Sequence, residues 1–395
     1  MYQLSNQIRR YAWGSPVAIP ELLGVEPDGE PQAELWMGAH ERAPSVASVD
    51  GRAVPLDELI ASDARNELGE SWASEARLPF LAKVIAVAEP LSLQVHPDVE
   101  RAVRGYAAEE AAGIDRDCPT RNFPDSLAKP EMVLALSDFA ALCGFRPVGD
   151  AVDWLQALDL QWLKPTADAL RLRGADALPG EVERLLGGAG GPAAELSAGL
   201  ARRCDLLRAD ARWSVSAEVA ADLARRYPDD PAVALALLLQ PVVLGPGDAM
   251  FIRPGQPHTY LSGTAFEVQA NSDNVLRAGL TRKHVAIPEL VRALDVRPQR
   301  RSAIVSWEAG AERVHAADTS RFALSVVESG EDAELAVVPG PQILCCLAGG
   351  FGLRGADRRL TLSRGESAYC PASRPELRIT GDGRLLRVTT GRTAG

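Results

Sequence analysis

The feature that most constrains the fold is a change in the spacing of apolar residues at two points along the chain. Before Val148, short apolar runs are separated by proline and glycine, which is typical of strands in a β sandwich or barrel. From Asp150 to Leu238, apolar residues recur at the i, i+3, i+4 spacing of amphipathic helices. Strand and turn texture returns at Val242. A chain of 395 residues has room for two or three domains, so this pattern predicts a helical segment inserted into a β-rich protein.

An internal similarity indicates that the β-rich part consists of two related units. Segment 247–258 resembles segment 365–376 at a constant offset, with glycine, an acidic residue, an aromatic residue and proline at matching positions. A turn, a short strand and a proline-bounded turn are typical of hairpins in double-sheet jelly rolls of the cupin type. His258 of the first copy corresponds to Glu376 of the second, so only the first copy is expected to bind a metal. We therefore predict a mainly β fold with an α insertion, consisting of two cupin-like jelly-roll domains and a helical domain.

The predicted domain boundaries follow the changes of texture. Residues 1–148 and 239–300 form a metal-binding, cupin-like catalytic domain, which is interrupted by a helical insertion at 149–238. Residues 301–395 form a C-terminal cupin-like β domain.

Charge and apolar patterning exclude several classes of protein. The net charge of −11 argues against a nonspecific nucleic-acid binder but allows a local basic pocket for a small phosphate. The longest apolar run, 232–244, is interrupted by Gln240 and Pro241 and is too short to span a membrane. Residues 1–10 lack the apolar core of a signal peptide. We expect a cytoplasmic protein without nucleic-acid or membrane partners, either a monomer or a weak homo-oligomer.

Segment 91–98 (LSLQVHPD) places three polar residues on one side of a predicted strand. Because strand side chains alternate, Ser92, Gln94 and His96 share one face, and the leucines and valine take the other. Taken alone, a half-exposed strand explains this pattern better than a metal site does.

Two further positions offer ligand atoms. Glu131 opens an apolar strand, and a carboxylate there needs a metal or Lys129 as partner unless it lies in solvent. His258 follows a proline-bounded turn, where a lone histidine is more often structural. The candidates taken together form an N₂O₂ set suited to zinc with an open position for water: Gln94, His96, Glu131 and His258. They include two of only five histidines.

Segment 266–283 (FEVQANSDNVLRAGLTRK) combines a polar turn with two cations. The turn contains Asp273, and Arg277 and Lys283 follow it. Such a turn is a good site for an anionic substrate, although a solvated loop explains it equally well.

Six segments resemble the type I phosphomannose isomerase family. They are YAWGS (11–15), ELWMGAH (34–40), 79–98, 129–136, 247–260 and NSDNVLRAGLTRK (271–283). Their order and spacing match the family over residues 1–150 and 238–290, whereas the insertion and the C-terminal third carry weaker signals. The resemblance implies a zinc enzyme of two cupin-like domains and a helical domain. It also implies interconversion of mannose 6-phosphate and fructose 6-phosphate, which belongs to mannose metabolism and supplies GDP-mannose.

The resemblance also implies roles for individual residues. The metal residues are Gln94, His96, Glu131 and His258. The catalytic residues are Arg277, Glu267, Lys129 and Asp273. The substrate-binding residues are Ser92, Lys283 and Trp13. Two positions depart from the family pattern: Arg282 replaces a frequent proline, and Ala128 replaces a polar residue found in some members, so no role is assigned to position 128.

The implied reaction passes through a cis-enediol and needs a base, a stabilised oxyanion and a phosphate site. We expect Arg277 to stabilise the enediolate, and Lys283 and Ser92 to bind the phosphate. Glu267 is the preferred base, with a lysine of lowered pKa or a zinc-held hydroxide as the other candidates. The alternative functions are a non-catalytic sugar-phosphate-binding cupin and a metal-dependent cupin oxygenase.

Overall fold

The computed structural model describes residues 1–188, 193–298, 304–356 and 358–391. Its strands are β1 (Tyr2–Ser5), β2 (Gln7–Arg9), β3 (Glu34–Met37), β4 (Val46–Val49), β5 (Arg52–Pro55), β6 (Phe80–Val87), β7 (Leu93–Val95), β8 (Glu131–Ala135), β9 (Phe139–Phe145), β10 (Leu239–Leu244), β11 (Ala249–Ile252), β12 (His258–Ala270), β13 (Leu276–Gly279), β14 (Val305–Ala309), β15 (Glu312–Ala316), β16 (Ala323–Glu334), β17 (Gln342–Arg354), β18 (Arg359–Ser363), β19 (Ser367–Cys370) and β20 (Arg378–Thr389). Its helices are α1 (Ala18–Leu23), α2 (Leu56–Ser62), α3 (Ala64–Leu68), α4 (Val99–Ala111), α5 (Val148–Leu158), α6 (Lys164–Arg173), α7 (Leu178–Leu186), α8 (Ala193–Leu207), α9 (Ser214–Arg226), α10 (Ala232–Ala236) and α11 (Ile287–Ala293).

The first sheet is built around the long strand β12. Its main order is β10-β9-β12-β6-β3-β2, and β7, β8, β11 and β13 join it beside this path. β12 pairs with β6, β7, β8 and β9, so residues from several distant segments meet along it. Every residue of β6 is buried, as expected of a continuous apolar run bounded by turn residues.

The second sheet takes strands from both ends of the chain. Its order is β14-β15-β16-β20-β17-β19-β1-β4-β5, with β18 paired to β17. Tyr2 of β1 lies opposite Tyr369 of β19, and Leu4 lies opposite Ala47 of β4. Early strands of the chain therefore belong to the sheet of its last hundred residues, although the sequence places them beside the catalytic strands.

The two sheets share one apolar core. Met132 and Phe266 of the first sheet belong to the same buried cluster as Leu324, Ile343 and Val388 of the second. Because burial of apolar side chains is a main source of stability, this common cluster couples the two β units.

The helical insertion lies between two strands that pair with each other. Helices α5 to α10 connect β9 to β10, and Phe145 lies opposite Leu239 in that ladder. Trp154 and Leu158 pack in one cluster with Leu93 of the first sheet. The predicted fold class, mainly β with a helical insertion, is confirmed. None of the described helices combines the length and the apolar character needed to cross a membrane.

The internal similarity corresponds to a shared strand arrangement, but not to a hairpin. In the first copy β8 lies between β11 and β12, and in the second copy β17 lies between β19 and β20. The expected hairpin pairing is therefore wrong, because a third strand separates the two strands of each copy. The sequence also predicts an inter-helix loop in the glycine-rich run 186–192, of which residues 189–192 lie outside the described part of the chain.

Candidate active site

Two histidines and a glutamate converge where three strands of the first sheet meet. His96 follows β7, Glu131 opens β8 and His258 opens β12. His96 Nε2 lies 3.2 Å from Glu131 Oε1, and His258 Nε2 lies 3.4 Å from Oε2. All three are buried, and their ligand atoms lie within 4.8 Å of one another. The buried His96 Nε2 and Glu131 Oε2 nevertheless make no hydrogen bond, as expected of atoms that face a common ion.

Backbone carbonyls fix the orientation of both imidazoles. His96 Nδ1 lies 2.7 Å from the carbonyl oxygen of Asn274, and His258 Nδ1 lies 3.0 Å from that of Gln256. A carbonyl only accepts, so each Nδ1 carries the proton and each Nε2 presents a lone pair to the centre. Burial lowers the pKa of His96 to about 4, which keeps this imidazole neutral at ordinary pH.

Gln94 and Lys129 complete the surroundings of the cluster. Gln94 lies opposite His258 in the β7–β12 pairing, and its Nε2 is 3.3 Å from His258 Nε2. Rotating the amide by half a turn brings its oxygen, a metal ligand, to that side. Lys129 Nζ lies 3.1 Å from Glu131 Oε1. Burial opposes ionisation of Glu131, but the adjacent Lys129 ammonium holds the pKa of its carboxyl well below the usual range.

The cluster lies at one side of a cavity of about 830 Å³. The residues predicted from the sequence that line this cavity are Trp13, Ser92, Gln94, Lys129, Glu131, Glu267, Asp273, Arg277 and Lys283. His96 and His258 are fully buried behind the cavity wall, against Glu131. The structure thus brings all of the predicted site residues together around one cavity.

Two cations of the cavity have no acidic partner within the described part of the chain. Arg277 lies opposite Gln94 in the β13–β7 pairing, and Lys283 lies in the turn after β13. Burial lowers the pKa of Arg277, and burial together with Arg277 lowers the pKa of Lys283. The partly buried Arg277, the exposed Lys283 and the Ser92 hydroxyl of the same cavity are suited to an anionic group.

A buried lysine and a buried glutamate line another part of the cavity. Lys83 Nζ lies 3.3 Å from Glu267 Oε2 and 3.7 Å from Glu34 Oε1, and it donates to Gln269 Oε1 at 2.9 Å. The Tyr260 hydroxyl donates to Glu267 Oε1 at 2.8 Å. Burial raises the pKa of Glu267, an effect that Lys83 opposes. Burial lowers the pKa of Lys83, but the two carboxylates more than offset this and raise it.

Asp273 is held by two partners from the segment that follows β3. His40 Nε2 lies 3.2 Å from Asp273 Oδ1, and Arg42 Nε lies 3.3 Å from Oδ2. His40 Nδ1 accepts the backbone N–H of Arg42, so Nε2 carries the proton and donates to Asp273. Burial opposes ionisation, yet these partners hold the pKa of Asp273 well below its usual value.

Asp125 links the Asp273 turn to the histidine cluster. Its carboxylate accepts from Ser272 Oγ at 2.8 Å, from the backbone N–H of Asp273 at 2.7 Å and from Asn274 Nδ2 at 3.1 Å. Asn274 in turn provides the carbonyl that orients His96. One buried carboxylate therefore holds both the proposed catalytic aspartate and the backbone of the metal cluster.

The sequence predictions assigned no role to five of these residues: Glu34, His40, Lys83, Asp125 and Tyr260. For Lys83 a signal existed, because a lysine in the middle of an apolar strand needs buried partners. For Asp125 no local signal existed, since its partner Ser272 lies 147 residues away along the chain.

The similarity of this chain to known proteins covers nearly its whole length. The protein-family model for the catalytic domain of type I phosphomannose isomerase matches residues 1–148 of this chain. Mannose-6-phosphate isomerase of Escherichia coli K12 is 38% identical over 394 residues, which cover 98% of this chain and 99% of that protein. The human mannose-6-phosphate isomerase is 31% identical over 323 residues, which cover 75% of this chain and 74% of that protein.

A solved structure shows the same arrangement of sheets and helices. The crystal structure of mannose 6-phosphate isomerase from Salmonella typhimurium, bound to fructose 6-phosphate and zinc, superposes with a TM-score of 0.90 at 36% identity. The superposition covers 99% of this chain and 100% of that one, so it includes the helical insertion and both sheets.

Proposed function

The chain belongs to the type I phosphomannose isomerase family, and from this premise we propose that it interconverts mannose 6-phosphate and fructose 6-phosphate with one bound zinc ion. The observation that carries the proposal is the placement of the His96–Glu131–His258 cluster beside Arg277 and Lys283 at one cavity. The cluster suits a divalent metal, and the two cations suit a phosphate and a developing oxyanion. A metal-dependent sugar-phosphate isomerase needs both.

The donor atoms of the cluster fit zinc. Imidazole nitrogens with carboxylate and amide oxygens form a mixed N and O set, which zinc accepts. An ion at this position satisfies His96 Nε2 and Glu131 Oε2, two buried atoms of the cluster that make no hydrogen bond. We assign ligation to Gln94, His96, Glu131 and His258. When bound, zinc supplies positive charge that stabilises the negative charge developing on O1 and O2 of the sugar.

Proton transfer between C1 and C2 is assigned to Glu267. A buried carboxylate of raised pKa exchanges a proton near neutral pH more readily than an ordinary one. The Tyr260 hydroxyl and Lys83 hold the two carboxylate oxygens and so orient Glu267. Arg277 stabilises the enediolate through a fixed charge, and Lys129 and Asp273 are the other residues that we assign to catalysis.

The phosphate group is assigned to Lys283 and Ser92. A flexible ammonium and a hydroxyl suffice for this group. Trp13 stacks on Tyr11 with ring centroids 5.8 Å apart and provides an apolar wall for the sugar ring.

The same proposal includes the domain division. All residues that line the cavity lie in 1–148 and 239–300, which supports this pair of segments as the catalytic domain. The described parts of the insertion at 149–238 and of the C-terminal domain at 301–395 contribute none. The cytoplasmic location, the absence of nucleic-acid partners, and the monomeric or weakly homo-oligomeric state belong to the proposal as well. Cell fractionation, a nucleic-acid binding assay and gel filtration test them.

A coupled assay tests the function. The purified chain with zinc should convert mannose 6-phosphate to fructose 6-phosphate, a chelator should abolish turnover, and added zinc should restore it. Binding of the sugar phosphate without turnover would instead favour a non-catalytic cupin, and metal-dependent oxygen consumption would favour an oxygenase.

A further inference from the structure

The strand that carries Arg277 has little support from the first sheet. β13 pairs with β7 and with no other described strand, and it ends at Gly279. The turn with Lys283 begins directly afterwards. Arg277 has a cross-strand partner in Gln94, but residues 280–286 pair with no described strand.

Asp230, in the link between α9 and α10 of the insertion, holds the point where β13 ends. Its Oδ2 accepts the backbone N–H of Leu280 at 2.6 Å, and its Oδ1 accepts that of Ala232 at 2.9 Å. Leu280 has a φ of 54°, in the left-handed region that a leucine rarely adopts. At Gly279, with φ of 146°, a Cβ would lie 2.3 Å from the Cβ of Ala232, so strand end and link are closely packed.

The insertion also contacts the segment that precedes β7 in the chain. The Tyr227 hydroxyl donates to the carbonyl oxygen of Pro90 at 3.1 Å, and the adjacent Arg226 contacts Glu89. Pro90 and Ser92 both line the cavity. The insertion therefore contacts the backbone leading to Ser92 as well as the backbone leading to Lys283.

We propose that Asp230 and Tyr227 are positioning residues through which the helical insertion fixes the phosphate-binding side of the cavity. The proposal rests on the proposed function, because it concerns the groups assigned to the phosphate. The metal cluster depends on β7, β8 and β12 instead, and on the carbonyls of Asn274 and Gln256. Loss of either positioning residue should therefore weaken phosphate binding and leave zinc binding intact.

Kinetics and anion binding of Asp230→Ala, Asp230→Asn and Tyr227→Phe test the proposal. In Asp230→Ala the KM for mannose 6-phosphate and the inhibition constant for inorganic phosphate should both rise about tenfold, with a smaller change in kcat. Asp230→Asn keeps one acceptor oxygen and should lie between this variant and wild type. Tyr227→Phe should raise both constants about threefold. Zinc content should equal that of wild type in every variant.

Asp205→Ala is the matched control. Asp205 pairs with Arg225 at 2.6 Å within the insertion and lines no part of the cavity, so its loss loosens the insertion without touching either segment. Its KM should stay at the wild-type value. A double variant with Lys283→Met should show less than the sum of the two single effects, because Asp230 acts through the turn that carries Lys283.

Several results would overturn the proposal. One is a KM and an inhibition constant for phosphate that stay at the wild-type values in the Asp230 and Tyr227 variants. Another is an equal rise of KM in Asp205→Ala. The third is full additivity of the effects of Asp230→Ala and Lys283→Met. If Asp230→Ala does not fold, Asp230→Asn and Tyr227→Phe decide. If wild type shows no turnover, the proposed function fails by itself, and calorimetric titration of the same variants with inorganic phosphate still decides the positioning role.

Discussion

Lys83 and Glu267 face each other across the β6–β12 ladder, with Nζ and Oε2 only 3.3 Å apart at the cavity wall. Burial raises the pKa of Glu267, whereas the neighbouring carboxylates overcome burial and raise that of Lys83. Lys83 therefore stays protonated, and Glu267 is the better proton acceptor of the two. Among the bases that the sequence left open, this pair favours the glutamate.

Replacement of Glu267 by glutamine should lower kcat by about a hundredfold or more, with zinc content unchanged. The amide keeps the shape of the side chain but takes no proton from the sugar. Glu34→Gln is the matched control, since Glu34 lies 3.7 Å from the same ammonium and would reproduce the loss if only the charge balance of Lys83 mattered. A kcat for Glu267→Gln within a few-fold of wild type would exclude Glu267 as the base.

His258→Ala should lose zinc and activity together. His258 Nε2 lies 3.4 Å from Glu131 Oε2, so removal of the imidazole takes away one ligand and leaves that side of the metal site open. Metal analysis after dialysis, alongside the coupled assay, gives both quantities. His284→Ala removes an exposed histidine of the same cavity and should keep one zinc per chain. Full zinc occupancy in His258→Ala would contradict the ligand set.

Asp125→Ala should lower zinc affinity about tenfold to a hundredfold, because Asp125 fixes the turn whose Asn274 carbonyl orients His96. Competition with a chromogenic chelator measures the affinity without recourse to turnover. Asp117→Asn, an exposed carboxylate at the cavity that pairs with Arg42, serves as control and should bind zinc normally. An unchanged affinity in Asp125→Ala would remove the proposed link between this turn and the metal.

The Asp273 ion pair should make the protein sensitive to acid. Despite burial, His40 and Arg42 keep the pKa of Asp273 below its unfolded value, so the folded protein binds fewer protons. The resulting stability is complete above about pH 4 and is lost as the pH falls toward the folded pKa. Asp273→Asn should therefore show a flatter dependence of the free energy of unfolding on pH in this acidic range. Urea denaturation of metal-free protein across the range measures it, and equal slopes would contradict the prediction.

Local patterns in the sequence were sufficient to predict most of the fold class and many of the residues at the cavity. Helical periodicity from Asp150 onward predicted helices that the structure confirms, because that spacing directly reflects a buried helix face. Glu131 and His96 stood out as polar residues within or beside apolar strands. Residues of this kind are recognisable because burial of an unpaired polar group is costly.

Long-range pairing could not be read from the same patterns. The separation of β11 from β12 by β8 depends on which distant strand fills the gap, and strand alternation alone does not specify it. The roles of Asp125 and Asp230 cannot be predicted from local sequence for a related reason. Each accepts backbone N–H groups from far along the chain, and an acidic residue in a loop has no distinctive local signature.

The pairing of Tyr2 with Tyr369 has a consequence for how the protein is made. On the ribosome, β1 emerges long before β19, the strand with which it pairs, so β1 lacks this partner until β19 has been synthesised. Until then β1 can pair with β4, as Leu4 does with Ala47, but the other edge of β1 has no partner strand. That free edge is exposed to mispairing. A nascent chain that stalls before Ser367 would contain every residue that lines the cavity and would still lack β19, the strand that joins β1 to β17.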